Sequence, residues 1–312
     1  MNQSIYQVPS PIQRVDFEFG CTCYVKRDDL IHAEVSGNKY RKLKHLMQEA
    51  ILHAKPGVIT YGGAFSNHIY ATAAFAAQVG LASVGVIRGE DDPYNPTLQF
   101  ARSKGMKLHF VSRMDYKLKS ESNLIRLIHT NYPDYLIIAE GGDHPLAVKG
   151  VKETIDEIQN QGFVAPDYLI VAAGTGTTAV GLLQGMKHYQ WHTKLIMMPA
   201  IKSNHLVEKV CTEARVDRER VYCDDTFSLG GYAKTTKGLI DFIMHFYNTT
   251  GIPTDPIYTG KSVYGLHTLA QKGYFKSDDT LLWLHSGGLQ GIAAYNYMQN
   301  KQKTKINLLN IS

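Results

Sequence analysis

The sequence predicts an α/β fold built from two domains, each with an open parallel sheet. The main observation is that amphipathic helical patterns alternate with short apolar strand patterns from about residue 43 onwards. A second observation is that glycine-rich turns separate several of these strands from the helix that follows. With 312 residues and 44% apolar content, the chain is long enough to form two such domains.

The first series of elements lies between residues 43 and 142. Apolar residues recur at helical spacing in four segments, and the segments between them are short and apolar, as strands of a parallel sheet are. The predicted helices are 43–54, 68–81, 95–105 and 122–132, and the predicted strands are 57–63, 82–89, 107–112 and 134–142. These elements could form a compact parallel sheet by themselves.

A second series follows, with predicted helices at 147–162, 177–189, 205–216, 235–248 and 261–273 and predicted strands at 167–174, 194–200 and 280–288. The segment CTCYVKRDDL, a predicted strand, precedes the first series. We expect it to pack with the later elements, which makes the first series an insertion. The predicted domains are therefore a large one of residues 1–45 and 150–312 and a small one of residues 46–149.

Charge and cysteine content narrow the class of function. The net charge of +5 comes from 33 basic and 28 acidic residues without a basic stripe, which favours a small anionic ligand over nucleic acid. The four cysteines lack zinc-site spacing, so we expect no metal. The first residues do not resemble a signal peptide, and no apolar run is as long as a membrane span. We expect a cytoplasmic protein without a membrane partner.

The segment SGNKYRKLK is the first candidate site. Lys39 stands at the expected start of a helix, where the helix terminus favours anions. By spacing alone, Lys39 is no better a candidate than Lys42 or Lys44, because a basic, exposed helix face explains all three.

The segment YGGAFSNH is the second candidate site, because it joins a strand to an alanine-rich helix. Ser66 and Asn67 are ordinary residues for a helix N-cap. Alternatively, Gly62 and Gly63 let the backbone approach a ligand whose carboxylate binds the free amides of the helix. Periodicity does not choose between these interpretations.

Two further strand ends carry candidate ligand groups. In VAAGTGTTAVG, the backbone amides of residues 174–178 and the threonine hydroxyls form a plausible phosphate cup. The loop matches neither the Walker motif nor the dinucleotide fingerprint, which favours a monophosphate. In WLHSGG, Ser286 offers a hydroxyl at a strand's carboxyl end, although Ser-Gly-Gly is also a common turn.

In order, the motifs KRDDLIHAEVSGNKYRKL, YGGAFSNH, AAGTGTTAVG, DPIYTGKSVYGL and LHSGG resemble those of the D-cysteine desulfhydrase and 1-aminocyclopropane-1-carboxylate deaminase family. The resemblance covers roughly residues 8–295. It implies the fold of the tryptophan synthase β subunit, known as fold type II of pyridoxal-phosphate enzymes, with the cofactor in a cleft between two α/β domains. It also implies pyridoxal 5'-phosphate, a small amino-acid substrate and a homodimer.

The resemblance assigns roles to residues that bind the cofactor. Lys39 corresponds to the lysine that forms a Schiff base with the cofactor and, once released, acts as the base at Cα. Asn67 is expected to meet the 3-hydroxyl group, and Ser286 the pyridine nitrogen. The residues expected to hold the phosphate are Gly174, Thr175, Gly176, Thr177 and Thr178.

Further residues correspond to the substrate side of the family's site. Ser66 matches a serine that acts as a nucleophile or contacts the substrate carboxylate. Tyr258 and Tyr232 match aromatic residues of the substrate pocket, where they transfer a proton, donate a hydrogen bond or only pack against the ring. Asn67 and His68 are candidate substrate contacts, although a histidine early in a helix more often faces solvent.

Departures from the family pattern bear on the substrate. In the deaminases a glutamate follows the tyrosine that matches Tyr258, whereas this chain has Thr259. The deaminases also have a second pocket tyrosine near the position of Phe227. These differences favour β-elimination, with D-cysteine giving hydrogen sulfide, pyruvate and ammonia. The alternatives are 1-aminocyclopropane-1-carboxylate deamination to 2-oxobutanoate and ammonia, or a non-catalytic amino-acid sensor that keeps the cofactor.

Overall fold

A computed structural model describes residues 5–201 and 205–301. Within these ranges, the strands are β1 (Ile12–Arg14), β2 (Thr22–Lys26), β3 (Gly57–Gly63), β4 (Ala82–Arg88), β5 (Lys107–Val111), β6 (Leu136–Ile138), β7 (Tyr168–Ala173), β8 (Lys194–Pro199), β9 (Val221–Cys223) and β10 (Thr280–Leu284). The α-helices are α1 (Gly37–Leu52), α2 (Asn67–Gln78), α3 (Pro96–Ser103), α4 (Arg113–Leu118), α5 (Asn123–Asn131), α6 (Pro145–Asn160), α7 (Thr177–His188), α8 (Leu206–Ala214), α9 (Lys237–Thr250), α10 (Thr259–Gln271) and α11 (Gln290–Lys301).

The described strands form two sheets. The six-stranded sheet has the order β1-β2-β10-β7-β8-β9, and the four-stranded sheet has the order β5-β4-β3-β6. All neighbouring strands pair in parallel except β1, which is antiparallel to β2. The predicted parallel α/β fold is confirmed. The two domain boundaries stay a prediction, and residues 1–4, 202–204 and 302–312 of the predicted large domain lie outside the described residues.

Burial on both faces explains why the central strands are almost continuously apolar. Strands β7 and β10 lie side by side in the six-stranded sheet, and nearly all their residues are buried. Helices α6 and α7 cover one face, and α9 and α10 cover the other with their aromatic and aliphatic side chains. The carboxyl ends of these strands are consequently held rigidly.

The bounds of some short or polar helices and strands differ from the predicted ones. Helix α1 begins at Gly37, close to the start expected at Lys39, and its first residues form a polar segment before the apolar periodicity begins at residue 43. The predicted strand 134–142 is limited to β6, because residues 140–142 form a tight turn with Gly141 at φ 70°. The three-residue strands β1 and β9 are too short to produce a recognisable pattern.

A buried ionic network joins α1 to both of its neighbours. The Arg41 guanidinium donates to Asp28, after β2, at 2.5 and 2.7 Å, and to Glu157 of α6 at 2.8 and 2.9 Å. Lys26 lies 3.4 Å from Glu157 and donates to the Ser10 carbonyl at 2.7 Å. Arg41, Asp28 and Lys26 are at most 1% exposed. Each buried charge therefore depends on its partners for compensation.

We expect Arg41→Met to lower the free energy of unfolding by about 3–5 kcal/mol, because it leaves Asp28 buried without its cation. The measurement is urea unfolding at neutral pH. Arg14→Met is the matched control, since Arg14 forms an exposed pair with Asp16, and its effect should stay within about 0.5 kcal/mol. A loss below about 1 kcal/mol for Arg41→Met would contradict the importance of the network.

Candidate functional site

A cleft of about 990 Å³ lies at the carboxyl ends of strands from both sheets. This is where open α/β sheets usually bind ligands, and the volume is at the upper end of the range typical of ligand pockets. Most of the sequence-predicted site residues line it, namely Lys39, Ser66, Asn67, His68, Gly174, Thr175, Gly176, Thr178, Tyr232, Tyr258 and Ser286. Among the described residues, no group of three or more His, Cys, Asp or Glu side chains could hold a metal ion.

Lys39 lies in the first turn of α1, and this turn packs closely against the loop after β10. The Asn38 amide donates to the Ser286 carbonyl at 3.1 Å. Gly37 has φ +63°, and a Cβ atom there would lie 1.9 Å from that carbonyl oxygen, so only glycine permits this approach. Burial lowers the pKa of Lys39 to about 8. The amine can therefore lose its proton near neutral pH.

Lys42, one turn further along α1, is a functional candidate that sequence reasoning undervalued. It is 3% exposed, and its Nζ donates to the Gly141 carbonyl at 3.0 Å. Burial, with the nearby Lys39 charge, lowers the pKa of Lys42 well below its ordinary value. The expected exposed basic face is wrong here, because Arg41 and Lys42 are buried against acceptors distant in the sequence. Lys44 is also partly buried and pairs with Glu153.

Ser66 is the N-cap of α2, as one of the two interpretations predicted. Its Oγ accepts hydrogen bonds from the amides of His68 and Ile69 at 3.2 and 3.3 Å. The same oxygen lies close to Gly62, where an added Cβ would approach it to 2.7 Å. Because the cap uses only the lone pairs of the oxygen, the Ser66 hydroxyl proton is available to a ligand.

His68 does not face solvent, in contrast to the commoner case expected for its position. It is 2% exposed, and its Nε2 lies 2.8 Å from Thr60 Oγ1. Thr60 donates its proton to the Ile138 carbonyl at 3.0 Å, so Nε2 must be the donor to Thr60. Burial and the charges of Lys39 and Lys42 lower the pKa of His68 well below its ordinary value. His68 is therefore a neutral imidazole protonated on Nε2.

The loop between β7 and α7 forms the predicted anion cup. Gly176 has φ +93° and precedes α7, whose first amides are free to bind an anion. Thr178 Oγ1 accepts from Asn38 Nδ2 at 3.1 Å, which joins the cup to the helix of Lys39. Thr177 differs from the expectation, because its fully buried hydroxyl donates to Asp143 at 2.9 Å instead of lining the cleft. The Thr177 hydroxyl therefore stabilises the loop of the cup through Asp143.

Tyr232 and Tyr258 approach each other edge to face, with ring centroids 6.1 Å apart. Burial raises the pKa of both phenols, and that of Tyr258 well above its ordinary value. Lys261 donates to the carbonyls of Ser228 and Gly231 at 2.7 and 2.8 Å and so positions the loop that carries Tyr232. Because their pKa values are raised, both phenols stay protonated at neutral pH and can donate hydrogen bonds.

The two residues that depart from the deaminase pattern do not line the cleft. Thr259 is buried, and its hydroxyl donates to Asp255 Oδ1 at 2.7 Å. Asp255 also accepts the Tyr258 amide at 2.9 Å, so Thr259 belongs to the support of the tyrosine. Phe227 is 4% exposed and packs in the core with Met198, not beside the tyrosines.

The sequence model of the family described as "Pyridoxal-phosphate dependent enzyme" matches residues 3–287. The chain belongs to this family. The match confirms the resemblance and the fold type inferred from the motifs, and it establishes pyridoxal phosphate as the cofactor.

The relatives of this pyridoxal-phosphate enzyme indicate which part of the family it resembles. A Pyrococcus abyssi protein, provisionally named 1-aminocyclopropane-1-carboxylate deaminase, is 31% identical over 306 residues, 92% of this chain and 91% of that protein. An Arabidopsis thaliana protein, named bifunctional D-cysteine desulfhydrase/1-aminocyclopropane-1-carboxylate deaminase, mitochondrial, is 28% identical over 93% of this chain and 78% of its own. A crystal structure of an ACC deaminase homologue is 28% identical, with a TM-score of 0.82 over 96% and 95% of the two chains.

The residues of the cleft fit pyridoxal phosphate. The group needs a lysine amine, an anion site for its phosphate and room for a flat ring. Lys39 supplies an amine with a pKa of about 8, and the cup before α7 supplies free amides beside the buried Lys42. The cup adjoins the tyrosines, since a Cβ at Gly174 would lie 3.6 Å from the Tyr258 ring, and the cleft volume of about 990 Å³ leaves room for a flat ring.

We expect Lys39→Met to stabilise the cofactor-free enzyme at neutral pH. Burial lowers the pKa of Lys39 from 10.5 to about 8. Below pH 8 both the folded and unfolded chains carry the charge, so the burial penalty, at most about 3 kcal/mol, is fully present. Between pH 8 and 10.5 only the unfolded chain holds the proton, so wild-type stability rises with pH and the advantage of the variant disappears.

The measurement is the difference in free energy of unfolding between variant and wild type at pH 7 and at pH 10.5. Lys272→Met, at an exposed position, is the control and should show no such pH dependence. An equal difference at both pH values for Lys39→Met would mean that Lys39 keeps an ordinary pKa.

Proposed function

We propose that this enzyme catalyses β-elimination from a small amino acid, with D-cysteine as the leading substrate and hydrogen sulfide, pyruvate and ammonia as products. The observation that carries the choice of reaction is Thr259, whose hydroxyl bonds the buried Asp255 where the deaminases have a glutamate. The chain therefore lacks the carboxylate that follows this tyrosine in the deaminase pattern, and Thr259 instead helps to support Tyr258. The two activities in the name of the Arabidopsis relative are compatible with this proposal.

The cofactor would be held by groups from both walls of the cleft. In this proposal Lys39 carries it covalently, and the amides and hydroxyls of Gly174, Thr175, Gly176 and Thr178, with the Thr177 amide and the Lys42 amine, bind its phosphate. Asn67 would meet its 3-hydroxyl group and Ser286 its ring nitrogen. When bound, the cofactor supplies an electron sink for the bond that breaks at Cα.

Proton transfer would be the task of Lys39 and the tyrosines. A pKa of about 8 leaves part of the Lys39 amine neutral near pH 7, so the released amine can accept the Cα proton. The raised pKa values of Tyr232 and Tyr258 keep both phenols protonated and able to donate to the departing sulfur. The Cβ–S bond breaks with its electrons on sulfur, and water then releases pyruvate and ammonia.

Ser66 and the first turn of α2 would bind the substrate carboxylate. The Ser66 oxygen accepts both cap hydrogen bonds, so its hydroxyl proton is free. A free hydroxyl proton favours a hydrogen bond to the substrate carboxylate over a role of Ser66 as nucleophile. His68 would contribute only a neutral ring, since its backbone amide already donates to Ser66 and its Nε2 proton to Thr60.

The second candidate is 1-aminocyclopropane-1-carboxylate deamination to 2-oxobutanoate and ammonia. The provisional name of the Pyrococcus relative, at 31% identity, favours it. A homodimer and a cytoplasmic location, both expected from the sequence, stay predictions. Among the described helices, none is both long and apolar enough to cross a membrane.

We expect the purified holoenzyme to release sulfide and pyruvate from D-cysteine and neither product from L-cysteine. The measurement is a parallel assay of sulfide and keto acid with D-cysteine, L-cysteine and 1-aminocyclopropane-1-carboxylate. The appearance of 2-oxobutanoate from the cyclopropane would support the second candidate instead. Lys39→Ala is the control, and it should abolish turnover and the absorbance band at roughly 410–430 nm.

We expect Ser66→Ala to reduce kcat/KM at least about 100-fold while the cofactor stays bound, because it removes a donor to the substrate carboxylate. Loss of the cap should cost about 1 kcal/mol of stability. Ser122→Ala removes the N-cap of α5, at a residue that does not line the cleft, and is the control for stability. Unchanged kinetics in Ser66→Ala would reduce the role of Ser66 to that of a helix cap.

A further inference from the structure

One wall of the cleft carries a cation that the proposed mechanism does not use. Arg88 is the last residue of β4 and pairs in register with Gly63, the last residue of β3. A Cβ atom at Gly63 would lie 3.6 Å from the Arg88 guanidinium, so the side chain extends past this glycine. Arg88 therefore lies beside the loop that leads to Ser66, and both residues line the cleft.

The position of the Arg88 guanidinium is favoured by an aromatic ring. The Arg88 Cζ atom lies over the Tyr116 ring, 5.4 Å from the ring centroid, and Tyr116 is itself 6% exposed. Among the residues that the structure describes, no carboxylate lies within ion-pair distance of Arg88, although Glu140 lines the same cleft. Because its contact is an aromatic ring and not a carboxylate, the guanidinium can still donate hydrogen bonds to a planar oxyanion.

The surrounding charge reinforces this site. Arg113, Lys117 and Lys119 line the same part of the cleft and are exposed, whereas Glu140 is the single acidic residue among the described lining residues. The phosphate cup lies on the other wall, at the six-stranded sheet, where Lys42 is available. The cations near Arg88 are thus additional to those that the cofactor phosphate requires.

Arg88 is also within electrostatic reach of the substrate tyrosines. Burial raises the pKa of Tyr232, and the Arg88 charge opposes that rise. An anion bound to Arg88 would therefore lie on the side of the cleft where Ser66 and Tyr232 are proposed to contact substrate.

We propose that Arg88 binds an oxyanion on the substrate side chain, so that, besides D-cysteine, the enzyme accepts small amino acids whose β-substituent is a sulfate or phosphate ester. This inference rests on the proposed β-elimination and names its substrate class. D-cysteine, whose thiol is uncharged at neutral pH, would react without using Arg88.

The reaction balances with groups already described. Lys39 takes the Cα proton, the Cβ–O bond breaks with its electron pair on the sulfate or phosphate, and a Cα–Cβ double bond forms. Water then converts the remaining fragment to pyruvate and ammonia. The bidentate contact from Arg88 fixes the leaving group before and during its departure.

The test compares serine O-sulfate with β-chloroalanine, which has a neutral β-substituent, using holoenzyme, both enantiomers and a pyruvate assay. We expect wild type to prefer the sulfate ester by at least about 10-fold in kcat/KM. Arg88→Gln should lower kcat/KM for the sulfate ester about 10- to 100-fold and for β-chloroalanine less than about 3-fold. Arg88→Lys, which keeps the charge without the bidentate edge, should give an intermediate value.

Arg126→Gln is the matched control, because it removes an exposed positive charge from α5, outside the cleft lining. It should change neither substrate by more than about 2-fold, since such a charge is screened. Turnover of β-chloroalanine without preference for the sulfate ester, or equal losses for both substrates in Arg88→Gln, would overturn the Arg88 subsite alone. Pyruvate from neither substrate would overturn the proposed β-elimination, and the subsite with it.

Discussion

The site depends on the buried contact between Arg41 and the carboxylates of Asp28 and Glu157. Through it, α1 is joined to the end of β2 on one side and to α6 on the other. A second close contact reinforces the first, because a Cβ atom at Gly150 of α6 would lie 2.0 Å from the Arg41 carbonyl oxygen. With the helix held this tightly, the residues of its first turn have little freedom to move relative to the sheet.

That rigidity allows α1 to present cations to the cleft at a cost in stability. Lys39 and Lys42 follow each other on one face, and burial lowers the pKa of each. Asn38 ties the same turn to Thr178 of the anion cup. Buried ammonium groups and unpaired anion-binding amides are unfavourable in a folded protein without ligand, so this is a place where function opposes local stability. A bound phosphate would supply the missing negative charge.

The cleft has two electrostatically distinct walls. The six-stranded sheet contributes a compact cup of amides and hydroxyls, matched to one anion close to Lys39. The four-stranded sheet contributes Arg88 over Tyr116 and exposed cations around it. The first wall fits the needs of pyridoxal phosphate, and the second is where we propose that the substrate side chain binds. Separate walls would let one change while the other is kept.

The sequence by itself determined the parallel α/β fold and the strand-loop-helix position of each site segment, whereas Lys39 was distinguished from Lys42 and Lys44 only by the resemblance of the motif series. These features depend on local patterns: apolar runs for buried strands, glycines at turns and caps at helix starts. Only the tertiary structure decided that Lys42 and His68 are buried, that Thr177 faces Asp143, that Phe227 lies in the core and that Arg88 stacks on Tyr116. Each of these depends on partners from other elements of the chain. Burial and charge compensation are properties of that assembled environment, which local spacing does not encode.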